Sequence, residues 1–461
     1  MYYLRSLIRK EDNDDFKSTL ILAMCLGYII HFFMNSFLSL FSSFILCFIV
    51  FFMCLRNSNP LPRYFSIAMF ALGVIFSASK GSIQEIVTGL QSNLPLLTLI
   101  ILVPMLSLPL KAEGYFESVQ FYLEKWSADN RKIFGSISLF IFCLGPILNL
   151  GSIRIIHETI KDFKSEPILL AKSYLVGFST VILWSPYFAS VAMVLYYLNV
   201  PLVSYIPLGL TLAAVQLVLG NLLFWGWLKK NEPGNLFPVR SHMDNNLNVF
   251  HKNKMLHLFI LVLLLMAGIF SMEHITQWPM MFIVSLISIF FPLAWSFVKQ
   301  RKEDFLIGFK EYKSISVPRM DNEVVLFLSA GLFAKSLTGT AVADSIKLFL
   351  TNIANISFLL FIVSVMGSIL FFTFIGIHQI VIVTVLATQM NPELIGTALE
   401  VLALLLMVSW SMSSVLSPVN PLNLLVSNSL KRSGIAVGFK WNGIYLVSMM
   451  ITGTLFIYLI H

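Results

Sequence analysis

The sequence predicts an all-α polytopic membrane protein with about eleven transmembrane helices plus two re-entrant hairpins, folded as an inverted repeat. Three observations predict it. Hydrophobic residues are 57% of the 461 and charged residues only 12%, with a mean hydropathy of +0.83, a balance that soluble domains rarely reach. Apolar runs of roughly 17 residues or more recur along the chain, each long enough to cross a bilayer as a helix. The same landmarks also appear twice, in one order and at nearly one offset.

The spans read as 18–35, 37–55, 64–79, 94–110, 168–200, 205–228, 255–272, 277–298, 321–339, 394–428 and 440–460. Two more apolar stretches, 132–160 and 355–390, remain. Lys and Arg concentrate in cytoplasmic loops, and that bias sets direction. Arg5, Arg9, Lys10 and Lys17 place the N-terminus inside. Arg56 and Arg63 return inside, as do Lys111, Lys125, Arg131 and Lys132, then Lys161 and Lys164. Lys229, Lys230, Arg240, Lys252 and Lys254 follow, then Lys299, Arg301, Lys302, Lys310, Lys313 and Arg319, and finally Lys431, Arg432 and Lys440. The loops near 36, 201–204, 273–276 and 391–393 hold none, and Lys80 is the exception outside. This pattern requires 132–160 and 355–390 to enter and leave on one face. The C-terminus then lies outside, and the chain belongs in the cytoplasmic membrane.

The net charge of +8 is spent on these loops, so nucleic acid is excluded as a partner. Cys25, Cys47, Cys54 and Cys143 lie in apolar segments without metal-ligand spacing and read as free thiols. The first seventeen residues are too polar for a signal-peptide core. No nucleophile triad, phosphate loop or zinc-spaced set appears, so neither an enzyme nor a metal site is expected.

The repeat rests on three pairs. Phe116–Leu123 (FESVQFYL) resembles Ala343–Leu350 (ADSIKLFL), and both read as amphipathic arms for an interface plane. Gly145 matches Gly367, and Trp184-Ser185 matches Trp410-Ser411. The charge rule runs 94–110 inward and 321–339 outward, so the copies are inverted, the architecture of secondary transporters. LWSPY (Leu183–Tyr187) and WSMSSVLSPVN (Trp410–Asn420) then read as breaks in the spans 168–200 and 394–428. Irregular backbone at membrane depth persists only where protein or a wet cavity supplies partners. The freed carbonyls, serines and half-helix ends suit a small ion or polar solute. A plain proline kink healed by serine back-bonding is the other reading.

In this architecture the sequence resembles the ion transporter superfamily, over 64–461. That group includes divalent anion/sodium symporters, arsenite and sodium/proton antiporters, and citrate and gluconate permeases. The resemblance implies scaffold spans and a first arm in 1–131, and a transport half of hairpin, broken helix and final span in 132–229. It implies a cytoplasmic loop, scaffold spans and second arm in 230–354, and the second transport half in 355–461. It further implies an elevator motion on a homodimeric scaffold. By position it assigns substrate or ion contact to Asn149, Gly151 and Ser152 at the first tip and Thr373, Gly376 and His378 at the second. From the breaks it assigns Trp184, Ser185 and Pro186, with Ser411, Ser413, Ser414, Ser417 and Asn420. The dicarboxylate symporters carry Ser-Asn-Thr at both tips and this sequence carries it at neither. That weighs against a dicarboxylate and leaves the coupling ion open between sodium and the proton.

Three ionisable residues are further candidates. Arg154, about 10 Å inward of Lys161 at ~1.5 Å per residue, suits an anionic substrate, an ion pair with Glu158, or snorkelling. His157 suits proton coupling or a structural hydrogen bond. Glu400, inside the span 394–428, suits a proton carrier or cation ligand, or a protonated bond to a neighbouring helix. Trp184 and Trp410 either flank substrate or seal the kinks. The expected function is secondary transport of a small anionic solute by sodium or proton coupling, with no cofactor and with membrane lipid as surroundings. The alternatives are a sodium/proton antiporter and a translocase of lipid-linked intermediates.

Overall fold

The computed structural model describes residues 2–126, 129–161, 165–231 and 245–461. Lys164 and Arg240, used above for orientation, lie outside the described residues. Every regular element among the described residues is helical. The first are α1 (Tyr2–Met34), α2 (Phe37–Asn57), α3 (Pro60–Ser79), α4 (Ile83–Gln91), α5 (Leu94–Leu102), α6 (Ser107–Ala112) and α7 (Tyr115–Lys125). Then come α8 (Asn130–Leu148), α9 (Gly151–Ile160), α10 (Pro167–Ile182), α11 (Ala189–Leu198), α12 (Leu202–Asn231), α13 (Asn245–Thr276) and α14 (Met280–Val298). The last are α15 (Lys302–Glu311), α16 (Asp321–Leu337), α17 (Ala341–Ile356), α18 (Phe358–Phe374), α19 (Gln379–Gln389), α20 (Pro392–Ile395), α21 (Leu399–Leu416), α22 (Pro421–Leu430) and α23 (Gly443–Ile460).

Ten stretches among the described residues are long and apolar enough to cross a membrane, or eleven if α16 and α17, bent by 85°, count as one. Their outward faces carry large apolar side chains, such as Phe41, Ile45, Phe48 and Phe52 on α2. Lipid, not water, is the solvent such a face requires. The broken span expected at 168–200 is the pair α10 and α11. The stretch 132–160 is the pair α8 and α9, and 355–390 is the pair α18 and α19. The second arm is longer than expected and runs through all of α17.

The chain forms two compact units. One comprises Met1–Pro109, Trp278–Phe349 and Ile380–Gln389. In it α16 packs along α2, α3 and α4. Leu332 makes the fit close, because a Cβ on Gly73 or Gly89 would come within 2.7 or 3.0 Å of its side chain. Small residues let membrane helices approach this closely where no hydrophobic effect drives them together. Lys17 of α1 is buried with Asp321, its Nζ 2.9 and 2.8 Å from the two carboxylate oxygens and 3.1 Å from the Pro318 carbonyl. Lys80, the exception to the charge rule, donates to the carbonyls of Ser336 (2.8 Å) and Thr338 (2.6 Å) at the C-terminal end of α16. A helix C-terminus is a natural seat for a cation.

The other unit comprises Leu110–Gln277, Leu350–Gln379 and Met390–His461. In it α8 lies along α10, α18 along α21, and α12 and α21 against α23. A Cβ on Gly177 of α10 would lie 2.6 Å from the Ser138 carbonyl, so only glycine allows α8 that near. At about 1.5 Å per residue the 30-residue α12 is some 45 Å long.

Candidate functional site

The first break runs from Leu183 to Phe188. Pro186 has no N–H to continue the ladder, and a proline disfavours the helical region for the residue before it. The last i to i−4 bond before the break is from the Ser185 N–H to the Val181 carbonyl at 3.1 Å. The break frees the Leu183 carbonyl, which accepts a 2.7 Å bond from the Tyr205 hydroxyl on α12. Gly209 on the same helix makes room, since a Cβ there would sit 2.6 Å from that carbonyl. Four other polar atoms have no protein partner: Trp184 Nε1, Ser185 Oγ, Tyr187 Oη and Ser190 Oγ. Their residues are 8%, 0%, 1% and 3% exposed. Each buried, unpaired group costs about 1–3 kcal/mol, so these four call for ordered water or a polar solute as partners. The indole N–H can only donate, and it needs an acceptor.

The second break is later than the sequence suggests. α21 runs unbroken through Trp410, Ser411, Ser413 and Ser414 to Leu416, and only Ser417–Asn420 are unwound. Ser414 donates back to the Trp410 carbonyl at 2.9 Å, and Ser413 Oγ lies at the same distance from it, so both serines sit inside an intact helix. The interruption belongs to Pro418, which holds Ser417 at φ −72°, ψ 123°. α22 restarts with Asn420 as its cap, whose side-chain oxygen accepts from the Leu422 N–H at 3.0 Å, and with Pro421 in the first turn.

This second break is knitted to the second tip. Gln379, which the sequence reading did not single out, is the hub. Its Oε1 accepts from Ser413 (2.5 Å) and Asn420 (3.0 Å), and its Nε2 donates to the Ser414 hydroxyl at 3.3 Å. Ser417 donates to the Thr373 carbonyl at 2.7 Å. Gly376 turns the tip at φ +108°, a conformation that suits glycine. His378 is half-buried beside Gln379. Ser411 faces elsewhere, donating to the Ser179 carbonyl at 2.6 Å, while Ser179 Oγ lies 2.9 Å from the Tyr445 hydroxyl.

α10 packs against both α21 and α22, and α11 packs against α21. Each broken helix therefore has one half beside the other's opposite half.

The first tip closes on itself. Asn149 has φ 50° and ψ −136°, unusual for a residue with a side chain. Its Oδ1 accepts from the Leu150 N–H at 2.8 Å, and its carbonyl accepts from Ser152 N–H (3.0 Å) and Oγ (2.7 Å). Gly151 opens α9.

The charged candidates do not join the breaks. Arg154 is exposed, and the ion pair with Glu158 does not form, because Glu158 pairs with Lys161 at 2.6 Å. His157 Nδ1 lies 3.2 Å from the buried Tyr174 hydroxyl and ties α9 to α10. Glu400 stands in the first turn of α21, at the very start of the span Leu399–Leu430. Seventeen residues separate it from Ser417, about 25 Å of helix at ~1.5 Å per residue. Trp184 lies 5.4 Å, ring to ring, from Phe142, and Trp410 is 6% exposed. Among the described residues no three His, Cys, Asp or Glu side chains gather as a metal site.

These features define a polytopic helical membrane protein with two interrupted spans packed together. Among solved structures the chain is similar to the Alcanivorax borkumensis YdaH transporter, whose crystal structure revealed an unusual topology. The TM-score is 0.55, over 87% of this chain and 98% of that one, at 12% sequence identity. At that identity the likeness is one of fold. No family model matches the sequence, and no curated protein matches it.

Proposed function

We propose that the chain is a secondary active transporter, built on the inverted-repeat plan of the ion transporter superfamily, that moves a small anionic solute across the cytoplasmic membrane. The observation that carries this is the first break, where an indole N–H and three hydroxyls are buried with no protein partner. Neutral donors beside the N-terminus of α11 favour an acceptor-rich solute over a cation. The half-against-half packing of the two broken helices supports the inverted repeat, and the fold shared with a transporter supports a transport role. In this reading the N-terminus is cytoplasmic, the C-terminus external, α8–α9 and α18–α19 are re-entrant, and an elevator motion driven by sodium or protons alternates access. The sodium/proton antiporter draws less support, since exchange of two cations calls for a carboxylate and Glu400 stands far along α21 from the second break.

The test is a thermal-shift screen of organic and inorganic anions, with and without sodium, on the wild type and on Trp184→Phe and Ser185→Ala. A transported anion raises the Tm of the wild type, and both variants weaken that rise. Stabilisation by cations alone, or anion stabilisation untouched by both variants, overturns the assignment.

A further inference from the structure

We infer that the cleft beside Arg154 holds the phosphate headgroup of an anionic phospholipid. This rests on the chain being embedded in a membrane and is independent of the transport reading. The cleft is open, about 370 Å³, and lined by Phe116, Arg154, Ile155, Glu158 and Thr159. It lies where the arm α7 packs on α9.

The charge in this cleft is unbalanced. Arg154 is exposed and makes no ion pair among the described residues, while the one carboxylate, Glu158, is taken by Lys161 at 2.6 Å. The remaining hydroxyl is also committed, because Thr159 donates to the Ile155 carbonyl at 2.8 Å. What is left is one guanidinium fork between the apolar walls of Phe116 and Ile155. A guanidinium binds a phosphate through two parallel hydrogen bonds. An apolar wall suits the first carbons of an acyl chain. One amphiphile satisfies both, whereas a free anion satisfies only the first.

The level is also right for a headgroup. At the start of α7, Lys254 donates to the carbonyls of Glu113 (3.1 Å) and Gly114 (3.3 Å) and lies 4.8 Å from the centre of the Phe250 ring. Phe116 is two residues further on. Basic and aromatic side chains gathered at the end of an apolar helix mark the membrane–water boundary. A lone arginine near that boundary needs a counter-charge or water, and an anionic lipid surface supplies one.

The experiment uses the full chain in a neutral detergent and compares phosphatidylglycerol, phosphatidylcholine and glycerol 3-phosphate by thermal unfolding. Phosphatidylglycerol is expected to raise Tm, while phosphatidylcholine and glycerol 3-phosphate at equal concentration do not. Arg154→Ala is expected to lose that rise, and Arg154→Lys to keep part of it. Native mass spectrometry of Arg154→Gln, read as loss of the co-purified phosphatidylglycerol adduct, gives the same answer without heating. The proposal is overturned if Arg154→Ala keeps the full rise, or if phosphatidylglycerol gives none. It is also overturned if glycerol 3-phosphate matches the lipid, which would make Arg154 a soluble-anion site.

Discussion

Ser413 donates its hydroxyl to the side-chain oxygen of Gln379 at 2.5 Å, and Asn420 reaches the same oxygen at 3.0 Å from the far side of the second break. One acceptor thus joins the end of α21, the start of α22 and the start of α19. Gln379→Leu leaves the buried Asn420 amide without an acceptor and turns the Ser413 hydroxyl back to the Trp410 carbonyl, a loss of about 1–3 kcal/mol. Thermal unfolding in detergent should show a clear fall in Tm, and solute uptake in proteoliposomes should fall with it. Gln379→Glu keeps an acceptor in place and should recover most of the stability. A Leu variant as stable as the wild type would remove Gln379 from the account of this site.

Two glycines on α12 make a matched pair. Gly209→Ala sets a methyl 2.6 Å from the Leu183 carbonyl, displacing the bond from Tyr205. Overpacking of this kind costs about 1–3 kcal/mol, and here the strain falls on the first break. Gly226→Ala meets nothing within 4 Å and should be neutral or gain up to about 1 kcal/mol from helix propensity. Tm and uptake measured on both variants separate the two effects. Equal outcomes would show that the approach of α12 to Leu183 is unimportant.

The buried pair of Lys17 and Asp321 predicts a non-additive double mutant. Lys17→Ala strands the Asp321 carboxylate, at about 3–5 kcal/mol. Replacing both with apolar residues, Lys17→Met with Asp321→Leu, removes the desolvated charges together and should restore much of the loss. Chemical denaturation of the two singles and the double is the measurement, and additive losses would contradict a directly coupled pair.

Glu400→Gln tests where ion coupling resides. A carboxylate in the first turn of a helix is worth about 0.3–1 kcal/mol through the helix dipole, so only a small drop in stability is expected, with ion-driven uptake retained. Complete loss of uptake with normal folding would return Glu400 to the role of proton carrier.

Much of the helical plan was legible because a bilayer leaves the backbone so few choices. Apolar run length marks spans, and Pro186 marks the first break at the residues where α10 stops. The second break takes up only the last four residues of the stretch Trp410–Asn420, for a physical reason. Serines look like helix breakers in a sequence, yet Ser414 bonds back to Trp410, Ser413 turns to Gln379, and both ride inside α21. Gln379 was invisible because no local pattern announces a side chain whose partners lie 34 to 41 residues away. Lys17 and Asp321 are 304 residues apart. Depth along a helix, counted at a fixed rise, placed Arg154 inward but could not say which side of α9 it occupies, and that side is open.

The length of α12 has a consequence of its own. A rod of about 45 Å outreaches a hydrocarbon layer of about 30 Å. Its surplus must lean over or stand proud of the headgroups. Trp225, with Arg131 4.5 Å and Lys229 5.0 Å from its ring, pins that end of α12 at the waterline. Thinner or thicker lipid mixtures should therefore change how steeply α12 slants, and with it the seating of Tyr205 under the carbonyl of Leu183.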